Sequence, residues 1–257
     1  MERINERTPA GISGSSLRAW GMVFLTLGVF GRGILQGRVL GLHQVNAQQL
    51  LELMTSSSSA MAVATISLVL QAVETCAAPI FAFLLVEGVR HTKNLGQYLF
   101  RVTVLALLCE IPYNLAIGGR VLDMSTRNPV FGAVLSLILL YFFRRYPGRS
   151  LANVLIKVVV TLAAFIWSQM LSIEFGAAMV VLTAALWLTW QKTNYRVIVG
   201  AMAAMLCTLI SPFFLASPMS FLTVHLYNGE EGSLARPVRY LMYPAILLVL
   251  GLAGNML

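Results

Sequence analysis

With 257 residues, 58% of them hydrophobic and only 11% charged, the chain excludes an ordinary soluble domain, in which about a quarter of residues carry charge. Its net charge of +8 would suit nucleic acid in a soluble protein. Here most basic residues collect in short loops between apolar runs, as in membrane proteins with cytoplasmic basic loops. We therefore read an all-α polytopic transmembrane bundle, a single integral membrane domain over residues 1–257, surrounded by membrane lipids and without a nucleic-acid partner.

Residues 1–16 form a polar cytoplasmic N-terminus with no cleavable signal pattern. The first span covers residues 17–34, with Arg3, Arg7 and Arg18 at its start. Arg32 and Arg38 at its far end run against the positive-inside rule, and Gly21, Gly28, Gly31 and Gly33 suit either close packing or a bend. A polar connection at 37–60 contains His43 and ends in a serine-rich stretch at 55–59 that reads as a flexible tip. Span two runs over 61–86, interrupted by Glu74 and Pro79, and reaches a cytoplasmic turn at 90–94. Spans three to six follow at 98–117, 129–143, 151–167 and 175–190, with basic loops at every second crossing.

Residues 191–196 and 228–239 both look cytoplasmic, so an even number of crossings should separate them, yet 197–227 is short for two spans of about 20 residues each. Pro212 and Pro218 break its middle, which predicts two short, tilted or partly re-entrant helices. A last span at 240–253 gives eight or nine in all. Cys76, Cys109 and Cys207 lie singly in apolar runs and read as small core residues; no metal site is expected.

No P-loop, GxSxG, HExxH or CxxC occurs. Ionisable residues cluster instead over 79–114, PIFAFLLVEGVRHTKNLGQYLFRVTVLALLCEIPYN, where charges near lipid are functional candidates. Glu87 and His91 are four apart and would share a helix face; a carboxylate so placed tunes an imidazole as general base, although an interfacial ion pair has the same spacing. Arg90, Lys93 and Arg101, beside a helix start, would hold either the phosphates of a ligand or lipid head groups. Glu110, before Pro112, and Asn114 would line a polar path from the other side or pair within the bundle. Glu174 lies at a span end on that side, either in that path or as a solvated loop charge.

This stretch resembles the signature of the TraX family, named for a membrane protein that acetylates the N-terminus of a pilin. The likeness extends to GSSLRAWGM near the start, NPVF before span four, EFG before span six, and LYNGEEG and YP near the end. The resemblance implies a membrane-embedded acyltransferase of the bacterial cytoplasmic membrane, moving acetyl from cytoplasmic acetyl-CoA to an acceptor amine or hydroxyl on a pilin-like peptide, a glycan or a small molecule. His91 and Glu87 would be catalytic, Arg90, Lys93 and Arg101 would bind coenzyme A, and Glu110, Asn114 and Glu174 the acceptor. Four positions depart from the family. Gly28 and Val29 stand where it has an Asp-His pair, Thr75, next to Glu74, where it has an arginine, and Ile246 where it has a histidine. The alternative is a non-catalytic or transporter-like relative that has lost the transferase residues.

Overall fold

The computed structural model describes residues 11–41, 57–123, 125–191, 193–233 and 235–256, with Thr193, Arg236, Pro237 and Arg239 as backbone only. His43 and most of the expected polar connection therefore lie outside the described residues.

Helix α1 (Gly14–Val29) starts at Ser13, whose hydroxyl accepts from the Ser16 amide, as an N-cap should. It runs without a break into a π-helical stretch, Phe30–Val39, so the first apolar element is longer than the expected 17–34. Helix α2 (Ser58–Glu74) is capped by Ser57, which accepts from Ala60 N at 3.3 Å. Ser57, Ser58 and Ser59 thus begin a helix where a flexible tip was expected, because a serine run supplies the cap that the first free amides need.

At the α2–α3 junction, the Thr75 hydroxyl donates to the carbonyls of Ala72 (2.7 Å) and Phe213 (3.0 Å), and the Cys76 thiol to that of Ala216 (3.3 Å). Helix α3 (Ala77–His91) follows at once. Pro79 sits in its first turn, where an amide would have no partner inside the helix.

Helix α4 (Leu95–Gly118) is capped by Asn94 and ends at Gly119 in the left-handed region, φ +65°. Helices α5 (Val130–Arg145), α6 (Leu151–Met170) and α7 (Gly176–Thr189) complete an antiparallel group. In it α7 is packed by α3, α5, α6 and α8 (Thr193–Leu206). On α6 only Ala164 and Ser168 are buried, while Leu155, Leu162 and Ile166 are exposed, which suits a face toward lipid.

After α8 the chain turns through 3₁₀ segments at Cys207–Leu209 and Pro212–Met219 into α9 (Ser220–His225). The two prolines in this segment and the contacts of Phe213 and Ala216 with the α2–α3 junction keep it from running straight through. It leaves beside the end at which it entered: Arg196 lies over Phe83 at 5.0 Å, and Tyr227 packs edge-on against the same ring. Helix α10 (Arg236–Asn255) closes the bundle along α4.

Among the described residues, four helical stretches are long and apolar enough to cross a membrane: Gly14–Val39, Ser58–His91, Leu95–Gly118 and Leu151–Met170. The protein is thus an all-helical membrane protein. One end of the bundle gathers Ile12, Thr92, Arg144 and Glu230, through Ile12 N to Leu226 O, Gly14 N to Glu230 O and Arg144 Nη1 to Thr92 O. The other gathers Arg38 with Asn255 and Arg127 with residues 172–174.

Gly33 decides how closely the first element meets α4, because a Cβ there would run into the Ala116 carbonyl. Backbone cannot move aside as a side chain can, so Gly33→Ala should cost about 1–3 kcal/mol and lower the thermal midpoint in detergent. Gly96→Ala, where a Cβ at the start of α4 would meet the Asn94 side-chain oxygen at an ordinary contact distance of 3.5 Å, should be neutral or slightly stabilising, since alanine favours helix.

Candidate functional site

A cavity of about 650 Å³ opens at the His91 end and runs inward between α1, α3 and α4, closed on its far side by α10 and the starts of α5 and α7. Arg18, His91 and Arg101 line its mouth; Ala77, Phe175 and Tyr243 line its inner end. Ala77 and His91 are fourteen residues apart on α3, about 21 Å of helical rise, so the cavity is an elongated, partly open tube along that helix. The wall between the ends is mainly apolar, with Leu25, Phe81, Leu84 and Leu105.

At the mouth, His91 Nδ1 lies 3.0 Å from the backbone carbonyl of Glu87 and 3.6 Å from its carboxylate. A carbonyl only accepts, so Nδ1 carries the proton and Nε2 of the neutral ring keeps its lone pair. The sequence pointed to the Glu87 side chain as the group orienting His91; the closer partner is the backbone of that residue. The Glu87 carboxylate instead accepts from the Tyr227 hydroxyl at 3.2 Å. Burial, and then the neighbouring Glu87, push the Tyr227 phenol up to about 12, so it remains a donor at neutral pH. Arg101 shares the mouth, its Nε donating to the Gln97 carbonyl at 3.2 Å.

Arg90 and Lys93 do not line this cavity. Arg90 faces the other side of α3, over Trp187 (5.7 Å) and Trp190 (5.5 Å), and Lys93 is exposed in the turn. The predicted basic triad is divided: Arg101 stays with His91, Arg18 joins them, and Arg90 pairs across the Trp190 indole with Arg196, 4.3 Å from that ring.

The predicted acceptor residues lie beyond the inner end. Glu110 accepts from Arg127 Nη1 (2.9 Å), the Asn128 side chain (2.6 Å) and the Asn128 amide (3.3 Å). It ties α4 to the start of α5, one of the two readings the sequence left open. Asn114, one turn on, is buried. Glu174 belongs to a different group: its carboxylate is 3.0 Å from Arg32 Nη1 and accepts from the Tyr113 hydroxyl at 3.5 Å. Arg32 Nη2 donates to Glu74 at 2.7 Å, with that carboxylate 2% exposed. Ser172 and Phe175, at φ +50° and +54°, flank Glu174. Such strained turns are retained where the surrounding structure fixes them, here through Arg127 N to Ser172 O and Glu174 N to Arg127 O.

Arg32 was visible in the sequence as a charge on the wrong side, and Glu74 as an interruption of span two; neither was read as a partner of the other. Opposite charges inside two successive apolar runs were the available signal. Glu74 also bears on the departure at Gly28, since its carboxylate fills the space that a side chain there would need. At the place where the TraX resemblance has an aspartate on the first helix, this chain brings a carboxylate in from α2.

Removing one member of a buried ion group strands the others, at about 3–5 kcal/mol. Arg32→Met should therefore markedly lower the thermal midpoint in detergent, and the triple variant Arg32→Met, Glu74→Leu, Glu174→Met should recover most of it.

A family model described as TraX protein matches residues 47–253. Comparison with curated proteins and with solved structures finds no match in either. The matched segment takes in α2 to α10, and with them His91, Arg101, Glu74, Glu174 and Tyr243. With most of its length matched, the chain belongs to the TraX family.

Proposed function

We propose that this protein is a membrane-embedded acyltransferase of the bacterial cytoplasmic membrane that takes acetyl from cytoplasmic acetyl-CoA and gives it to an amine or hydroxyl acceptor, such as a pilin-like peptide. The chain would cross the membrane eight or nine times, with the N-terminus and the His91 end in the cytoplasm. The basic loops of that end support this orientation, and family membership supports a pilin-modifying role.

The observation that carries the reading is the form of the cavity: the guanidinium groups of Arg18 and Arg101, beside the carboxylates of Glu87 and Glu231, at the mouth and an elongated, mainly apolar tube behind them. Acetyl-CoA has the complementary form, an anionic head on a thin, extended arm that ends in the thioester. Arg18 and Arg101 would hold the phosphates, as guanidinium does best among side chains. His91 stands in the same mouth, where its Nε2 takes up a proton or, once protonated, adds a third positive charge. In the transfer the acceptor nitrogen or oxygen bonds to the carbonyl carbon, the carbon–sulfur bond breaks, and the departing thiolate receives the proton that the acceptor loses.

Calorimetry of the detergent-purified protein with coenzyme A tests the donor site. Saturable binding is expected, weakened about tenfold to a hundredfold by Arg101→Ala, as charge-assisted hydrogen bonds of about 1.5–3 kcal/mol require. Arg90→Ala should leave it unchanged, since that side chain stacks on Trp187 and Trp190 outside the cavity. No binding by the wild type, or equal loss from both variants, would overturn the reading.

A further inference from the structure

Tyr243 stands at the inner end of the tube, 3% exposed, and its hydroxyl has no hydrogen-bond partner among the described residues. A buried hydroxyl left unpaired costs about 1–3 kcal/mol, and it is kept here by a chain that could carry phenylalanine at the same volume. Tyr113 and Cys109 belong to the same buried cluster, and Glu74 and Arg32 lie within electrostatic reach. Arg32 Nε is likewise buried and without a partner among the described residues, although both terminal nitrogens of that guanidinium are engaged by carboxylates. Tyr243 lines the cavity, so an unpaired hydroxyl lies in the wall that a ligand would meet, with the Arg32 group behind it.

We infer that the inner end of the cavity is the seat of the thioester carbonyl, with the Tyr243 hydroxyl donating to the carbonyl oxygen, so that the reacting centre lies at Tyr243 and not at His91. This rests on the donor reading above. With the head held by Arg18 and Arg101, a chain threading the tube delivers its far end about 21 Å inward, next to Tyr243 and on the near side of the Arg32–Glu74–Glu174 group. A donor fixed beforehand at a carbonyl oxygen stabilises the negative charge that gathers there during acyl transfer, and it does so most strongly where water is excluded. His91 stays with the head group, while Glu74 and Glu174 are the carboxylates nearest the reacting atoms. Tyr243 is the one group in this arrangement that is assigned to touch the reacting carbonyl.

The test uses the full-length protein in detergent and S-acetonyl-CoA, a ketone analogue of the donor, carrying ¹³C at its carbonyl. Infrared difference spectra of the wild type should show the bound carbonyl band displaced to lower frequency than in solution. Tyr243→Phe should abolish that displacement with coenzyme A affinity unchanged within about twofold, and His91→Ala should preserve it. Transfer to an acceptor should fall about 10²–10³-fold in Tyr243→Phe, the usual loss for one such donor. Its thermal midpoint should hold or rise, because the removed hydroxyl has no partner to lose; a merely structural tyrosine would give a lower midpoint. Coenzyme A binding with a carbonyl band indifferent to Tyr243→Phe, or one lost in His91→Ala, would overturn this inference alone. Absence of coenzyme A binding by the wild type would overturn the donor reading and this inference together.

Discussion

The Arg32 guanidinium, held between the carboxylates of Glu74 and Glu174, joins three parts of the chain at one depth in the bundle. It comes from the π-helical continuation of α1, Glu74 from the last turn of α2, and Glu174 from the strained turn before α7. An ion in a medium of low polarity must be paired, so the positions of these elements are fixed relative to each other more narrowly than apolar packing would fix them. The junction at Thr75 and Cys76, the missing side chain at Gly28 and the positive φ at Ser172 and Phe175 are local adjustments that bring the three groups into contact.

The cavity follows from the same arrangement. Helices α1 and α3 are drawn together beside the ion group, while toward the His91 end the space between them and α4 is left to a tube rather than filled by side chains. The segment after α8, doubled back on itself, packs α9 against α3 from outside and presents Tyr227 to Glu87. One end of the tube thereby acquires fixed charges and the other a fixed polar floor, with an apolar wall between them. Position along α3 thus grades the chemistry, from water-facing cations to buried hydroxyls, over one helix length.

Membrane class, the apolar elements and the basic loops were legible in the sequence because hydropathy and charge placement are one-dimensional properties. The pairing of Glu87 with His91 was legible as a spacing, but whether side chain or backbone would meet the ring depended on a rotamer and on Tyr227, which lies 140 residues away in sequence. Arg90 and Arg101 look alike in a linear reading; only the packing of α3 against α7 sends the first to Trp190, and the place of α4 beside the cavity leaves the second at the mouth. Tyr243 carried no sequence signal beyond the YP pair. Its significance lies in a missing partner, and that cannot be seen before every neighbour is placed.

Synthesis runs along the chain in one direction, and the ion group is spread along it. Arg32 enters the bilayer first, and Glu74 follows 42 residues later, whereas Glu174 arrives a hundred residues after that. At translation rates of about 5–20 residues per second, the arginine waits seconds for its first carboxylate and several seconds more for the second. The Arg32 charge is therefore matched by a single carboxylate once the first two helices have been made, and the excess negative charge of the group arrives only with the turn before α7, when most of the bundle that will bury it has been made.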